Sequence, residues 1–210
     1  MCALDPKQFR NPRGNEGRLV LEDMNVHHLP LTEWALSEIP EFRCRNILDI
    51  GCGGGMLISV LAKMFPDSKI CGVDISEESV AMTERTNSEI IKEGRCRISL
   101  NSVSDLPFAE RTFDLVTAFE TYFFWPDLDN DLKKAASLVA DGGCFVIVSE
   151  TYPHPDFKER NDAIIKDYGL NLLDNSVMKK KLEDCGLTVS VSEIEKNNWV
   201  VFVGKRTRVS

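Results

Sequence analysis

The sequence has 210 residues, with 33 Asp+Glu against 25 Lys+Arg and a net charge of −8. At about 150 residues per domain this length makes one domain with some excess, and 43% apolar residues exclude a disordered chain. The acid surplus excludes nucleic acid as an expected partner, because phosphate binding wants clustered Lys/Arg; the dense run Lys179 to Lys181 reads as the solvated face of a late helix.

The longest apolar stretches, Leu57 to Ala62 and Cys144 to Val148, fall short of the ~18 residues that a bilayer span needs. Asp5, Pro6 and Lys7 precede any apolar run, so a secretory signal is not expected. The cysteines at 2, 44, 52, 71, 96, 144 and 185 are odd in number and contain no C-x-x-C pair. That pattern fits a reducing cytoplasm better than a disulfide framework or a zinc site. A cytoplasmic protein with no membrane partner, monomeric or homodimeric, is the expectation.

Residues 1–40 stand outside the rhythm of the rest. Arg10 to Gly17 reads as a Gly/Asn/Pro-rich loop and Leu31 to Ile39 as a short amphipathic helix. Asn46 to Ile50 is a compact apolar strand that ends in glycines. Residues 55–65 place Met56, Leu57, Val60, Leu61, Met64 and Phe65 at helical spacing before the stop at Pro66. Lys69 to Asp74 is a second strand. Ser76 is placed as an N-cap, with Glu77 and Glu78 in the first turn of a helix that runs to about Glu93.

Arg97 to Leu100 and Phe113 to Phe119 are further strands, and Asp127 to Ala140 a helix. Asp141-Gly142-Gly143 reads as the turn into a fifth strand, Cys144 to Ser149. Residues 150–172, with Pro153, His154 and Pro155, read as an insertion. A helix to about Asp184 and two strands near 187–194 and 198–203 close the chain. Such alternation demands a mostly parallel sheet with right-handed crossovers, and the last two strands can form an antiparallel hairpin.

In an open α/β sheet the ligand lies beyond the carboxyl ends of the strands, where strand order reverses. The first strand runs there into Asp49-Ile50-Gly51-Cys52-Gly53-Gly54-Gly55. Glycines after a strand and before a helix allow a sharp turn and close approach of a ligand. A dinucleotide fingerprint would want glycine at 56, which is Met56. Asp74 ends the second strand 25 residues after Asp49, where its carboxylate can accept from two ribose hydroxyls. Alone it reads equally well as a helix-entry aspartate before Ser76.

Leu48 to Gly55, Gly72 to Ser76, Asp105 to Phe108, Phe113 to Val116 and Asp141 to Gly143 together resemble the class I S-adenosylmethionine-dependent methyltransferases. The likeness covers about residues 44–150 and is strongest to the small-molecule branch that includes quinone-biosynthesis enzymes. It implies a Rossmann-like, doubly wound α/β fold with a seven-stranded sheet ordered 3-2-1-4-5-7-6, strand 7 antiparallel. It also implies S-adenosyl-L-methionine as cofactor and a small-molecule acceptor methylated by in-line displacement. Residues 41–210 would form that domain, with 1–40 a cover over the active site and 150–172 an insertion near the acceptor.

Carried over position by position, Gly51, Cys52 and Gly53 would line the methionine part through their backbone, and Asp49 would reach its amino group. Asp74 would bind the ribose and Ile75 pack on adenine. Ser102 stands where the family often has an aspartate for the adenine amino group, and the Val103 amide can donate to the ring. Phe119 ends the fourth strand at the cofactor. Glu120 has three readings: it orients the cofactor amino group, takes the acceptor's proton, or is a solvated loop carboxylate.

Tyr122, Phe123, Phe124 and Trp125 are consecutive aromatics that no regular element can bury on one face. Two are expected at the site, facing the cationic sulfonium or an apolar acceptor, and two in packing, with Tyr122 the leading site residue. His28, in the segment expected to cover the pocket, is a candidate base alongside His27 and His154. The three histidines show no ligand spacing with neighbouring Cys or carboxylates, so no metal is expected. Three other functions compete: a nicotinamide-dependent oxidoreductase of similar fold, opposed by Met56 and the lack of a Tyr-x-x-x-Lys pair, a non-catalytic cofactor-binding protein, and a protein or RNA methyltransferase, with RNA disfavoured by the acidic surface.

Overall fold

The computed structural model describes residues 5–208; Cys2 and the first four residues of the N-terminal extension lie outside them. Seven strands form one sheet: β1 (Asn46–Ile50), β2 (Lys69–Asp74), β3 (Cys96–Leu100), β4 (Phe113–Phe119), β5 (Val139–Ser149), β6 (Thr188–Ile194) and β7 (Trp199–Lys205). Their order is β3-β2-β1-β4-β5-β7-β6, with β7 antiparallel to both of its neighbours and every other pairing parallel. The expected topology is present in full.

The core follows from the two-residue period of the strands. In β1, Ile47 faces one layer while Leu48 and Ile50 face the other; in β5, Val146 and Val148 oppose Phe145 and Ile147. One layer receives α3 (Leu29–Ser37) through Leu31, Ala35 and Leu36, and α4 (Met56–Met64) through Leu57, Ile58 and Leu61. The other receives α7 (Leu128–Ser137) through Leu132, Ala135 and Ala136, and α9 (Asn175–Asp184) through Met178 and Leu182. Helices on both faces bury the parallel strands, as crossover connections require.

Several boundaries differ from the sequence reading. Residues expected to be loop begin a helix instead: α1 (Lys7–Arg10) is followed by α2 (Gly14–His27). Gly17 permits this, because a Cβ there would lie 2.7 Å from the Pro12 carbonyl carbon. The helix after Ser76 divides at Asn87 into α5 (Glu77–Thr86) and α6 (Ser88–Lys92). Ser76 caps it as expected, its Oγ accepting the Ser79 amide at 3.1 Å. Asp141-Gly142-Gly143 is not a turn before β5 but an irregularity within it: pairing to β4 jumps from Phe113↔Val139 to Leu115↔Cys144. Within 150–172 lies α8 (Lys158–Tyr168).

Candidate active site

The carboxyl ends of β1, β2 and β4 open onto one cavity. Gly51, Gly53, Asp74, Ile75, Ser102, Val103, Phe119 and Glu120, eight of the residues singled out in the sequence, line it. The sheet brings them together because adjacent parallel strands end at the same level. Beyond β1 the chain reverses through Gly51, Gly53 and Gly55, at φ of +78°, +52° and +83°. Such left-handed steps cost a residue with a Cβ roughly 1–2 kcal/mol.

The amides of this loop are already engaged. Those of Gly51 and Cys52 both donate to the Val73 carbonyl, at 2.8 and 3.0 Å, and that of Gly53 donates to the Asp74 carboxylate at 2.9 Å. The carbonyls of Cys52, Gly53, Gly54 and Gly55 also accept internal hydrogen bonds, so the loop offers a ligand mainly its shape. Cys52 is buried and lines an inner recess below the main cavity, with Asp49, Met24, Asn25 and His28.

Asp49 is 1% exposed and accepts the Thr117 hydroxyl at 2.8 Å. Burial pushes its carboxyl up to about 7, against the opposing effect of that hydrogen bond, and the nearby charge of Asp74 adds to the rise. Asp74 is raised by burial as well, and the amides of Ser76 and Gly53 partly offset this. One of its oxygens accepts Ser76 and the other Gly53, both at 2.9 Å. Each carboxylate oxygen can accept twice, so the pair keeps capacity for two hydroxyls. Beside it Ile75 is 46% exposed, an apolar ledge on the cavity wall. Ser102 begins a short 3-10 turn at Val103, its Oγ accepting the Ser104 amide at 3.3 Å and its carbonyl the Asp105 amide at 3.0 Å.

The aromatic run resolves differently from the expectation. Tyr122 is 2% exposed and belongs to the core; it lines none of the described cavities, so its proposed catalytic place is withdrawn. Burial raises its phenol well above the ordinary value. Phe124 and Trp125 border the main cavity instead, and Trp125 Nε1 donates to Thr121 Oγ1 at 3.1 Å. A 3-10 turn over Tyr122–Phe124 rotates successive side chains by about 120°, which sends Phe124 outward and Tyr122 inward.

A second cavity adjoins the first. Phe9, Met24, Glu120 and Phe124 border both. Its other walls come from α2, from α8 and from the end of β5, and include Phe123, Ile164, Tyr168, Leu170, His27, His28 and Glu150. Glu120 adopts φ +55°, uncommon for a residue with a Cβ. Its Oε1 accepts the Glu150 amide at 2.6 Å. Burial foremost, and then the charge of Glu150, push its carboxyl well above the usual range. Burial acts on Glu150 in the same sense, but His28 and His27 outweigh it and hold that carboxyl low. His28 thus stands at the second cavity, whereas His154 caps a turn, its Nδ1 accepting the Asp156 amide at 3.3 Å. His27 and His28 meet Glu150, 123 residues away from His27, so the absence of local ligand spacing did not reveal their partner.

Comparison with known proteins identifies the frame. Residues 47–143 match the family model described as a methyltransferase domain. Over 113 residues the chain is 30% identical to a demethylmenaquinone methyltransferase of Symbiobacterium thermophilum, covering 53% of this chain and 45% of that enzyme. Over residues 47–143, just under half of the chain, the sequence is similar to methyltransferases. Solved structures share the methyltransferase fold across almost the whole chain. An O-methyltransferase family protein from Burkholderia thailandensis superposes with a TM-score of 0.81 at 18% identity, over 99% of this chain and 64% of its own. A geranyl diphosphate methyltransferase solved with S-adenosylmethionine gives 0.75 at 17% identity, over 98% and 96%.

The chain spans less than two thirds of the length of the curated methyltransferases it matches, about two-fifths to a half in most cases. The main cavity offers the groups that a nucleoside ligand uses. The buried Asp74 carboxylate has spare acceptor capacity for vicinal hydroxyls, and the apolar ledge of Ile75 suits the face of a flat ring. No helix among the described residues is long and apolar enough to cross a membrane.

Proposed function

We propose that the chain transfers a methyl group to a small acceptor with an apolar body, held in the second cavity. The observation that carries this reading is the common wall of the two cavities at Phe9, Met24, Glu120 and Phe124. Bound S-adenosylmethionine supplies an electrophilic methyl on a sulfonium whose departure needs no protonation. Asp74, Ile75, Ser102 and Val103 are assigned to the nucleoside end, and Asp49, Gly51, Cys52, Gly53 and Phe119 to the methionine end.

The chain's own contribution is mainly alignment. Holding two reactants in line supplies up to ~7–11 kcal/mol in the best intramolecular models. Phe124 and Trp125 present aromatic faces where a cation is favoured, and they keep water from the reacting atoms. Glu120 borders the second cavity and is assigned as the group that takes a proton from an oxygen or nitrogen acceptor. Residues 5–40 and 150–172 act as cover and acceptor wall. The free cysteines support a cytoplasmic setting.

Thermal melting with S-adenosylhomocysteine and NAD, each in turn, tests the cofactor assignment, and transfer of labelled methyl to amines, phenols and thiols tests the reaction. Stabilisation by S-adenosylhomocysteine alone is expected. Stabilisation by NAD alone would reverse the assignment.

A further inference from the structure

At the wall of the second cavity, α2 and the end of β5 bring together two imidazoles and a carboxylate. His27 Nε2 lies 3.1 Å from Glu150 Oε2, and His28 Nε2 lies 3.7 Å from Glu150 Oε1. One ligand atom from each residue falls within 4.8 Å of the others. Two atoms that share a tetrahedral ion at 2.0–2.2 Å sit about 3.4 Å apart. The two imidazoles face different oxygens of one carboxylate with the same nitrogen, and small side-chain adjustments bring one ligand atom of each to that spacing.

The surroundings favour a cation. Asp23, Glu120 and Glu150 line this cavity, and no Lys or Arg is among the described residues that do. The His27 and His28 rings stand 5.4 Å apart, close enough for one divalent ion to meet a lone pair from each. Glu150 is held in place from behind, because the Arg160 guanidinium donates to its backbone carbonyl at 3.1 Å and to Asn198 Oδ1 at 2.9 Å.

We infer that His27, His28 and Glu150 form a binding site for a divalent transition metal ion, with Zn²⁺ the best match. Two imidazole nitrogens and one carboxylate suit Zn²⁺ or Co²⁺, whereas Mg²⁺ prefers an all-oxygen shell. Three protein ligands leave a fourth position, which faces the cavity and takes water or an oxygen of a bound molecule. Such an ion also ties α2 to the sheet. The site stands on its own geometry, whichever molecule fills the cavity.

The test is a calorimetric titration of the chelator-treated full chain with Zn²⁺, and with Co²⁺ for its absorption spectrum. Binding near one equivalent per chain is expected, with a d–d spectrum of nitrogen and oxygen ligation. His27→Ala and Glu150→Gln should each weaken binding at least tenfold. His27 is largely exposed, so its variant keeps the fold, which melting verifies. Absence of saturable binding, unchanged affinity in both variants, or a thiolate-to-cobalt charge-transfer band would each overturn the site. S-adenosylhomocysteine affinity, measured on the same samples, reports on the cofactor cavity separately.

Discussion

Asp74 accepts the Gly53 amide at 2.9 Å, which ties the carboxylate at the end of β2 to the loop that leaves β1. One side chain therefore both shapes the glycine loop and faces the cavity. Its second oxygen holds the Ser76 amide at the entry to α5, so three chain segments converge on it.

Asp74→Ala should consequently remove more than a ribose contact. A hydrogen bond to a charged group is worth about 1.5–3 kcal/mol, and two hydroxyls lose theirs together. Affinity for S-adenosylhomocysteine should drop by at least ~10²-fold by calorimetry. Unchanged affinity would show that the nucleoside lies elsewhere.

Gly51→Ala combines two penalties. The site has φ +78°, and a Cβ would come within 2.5 Å of the Thr121 methyl. The left-handed conformation alone costs about 1–2 kcal/mol, which in a protein of this size lowers Tm by roughly 2–8 °C. Displacement of Thr121 should also loosen Trp125, whose indole donates to it. Equal melting of variant and wild type would refute this.

Asp49 gives a pH dependence with a definite sign. Its folded value is near 7 because of burial, against about 3.9 in an unfolded chain. Between these limits the folded state holds a proton that the unfolded state has lost. The stability contributed by this group is complete below about 3.9 and declines as pH rises towards 7. Asp49→Asn should melt increasingly above wild type from pH 4.5 to 7.5, and a constant difference would contradict the sign.

Glu120→Gln separates two roles. As proton acceptor, its loss should lower kcat by about 10²–10⁴ with cofactor affinity nearly kept. As the group that orients the methionine amine, its loss should instead weaken S-adenosylhomocysteine binding. Steady-state kinetics beside calorimetry distinguish them.

What was legible in the sequence is what is encoded locally. Asp49 lies one residue before the end of β1 at the glycine loop and Asp74 ends β2 at a helix cap, and each signal lies within a few residues. The β7–β6 hairpin was visible from its alternation. The α2 helix was not, because Pro12, Gly14 and Gly17 read as breakers, and the close packing of Gly17 on Pro12 exists only once the chain is folded. Tyr122 was misjudged because proximity to a strand end does not fix direction in a 3-10 turn. The neighbours Phe9, Leu21 and Met24 escaped notice for want of any periodic motif, and the partnership of His28 with Glu150 is purely tertiary.

The shared wall has an evolutionary reading. Asp74, Ile75 and Ser102 come from the sheet's own loops, while the outer compartment draws on α2 and α8, which lie outside the matched family segment. Selection can therefore rewrite the outer pieces while leaving the inner ones untouched. Exchange of residues 158–168 between relatives should transplant acceptor choice onto an unaltered nucleoside grip, a modularity that would let one scaffold supply many chemistries.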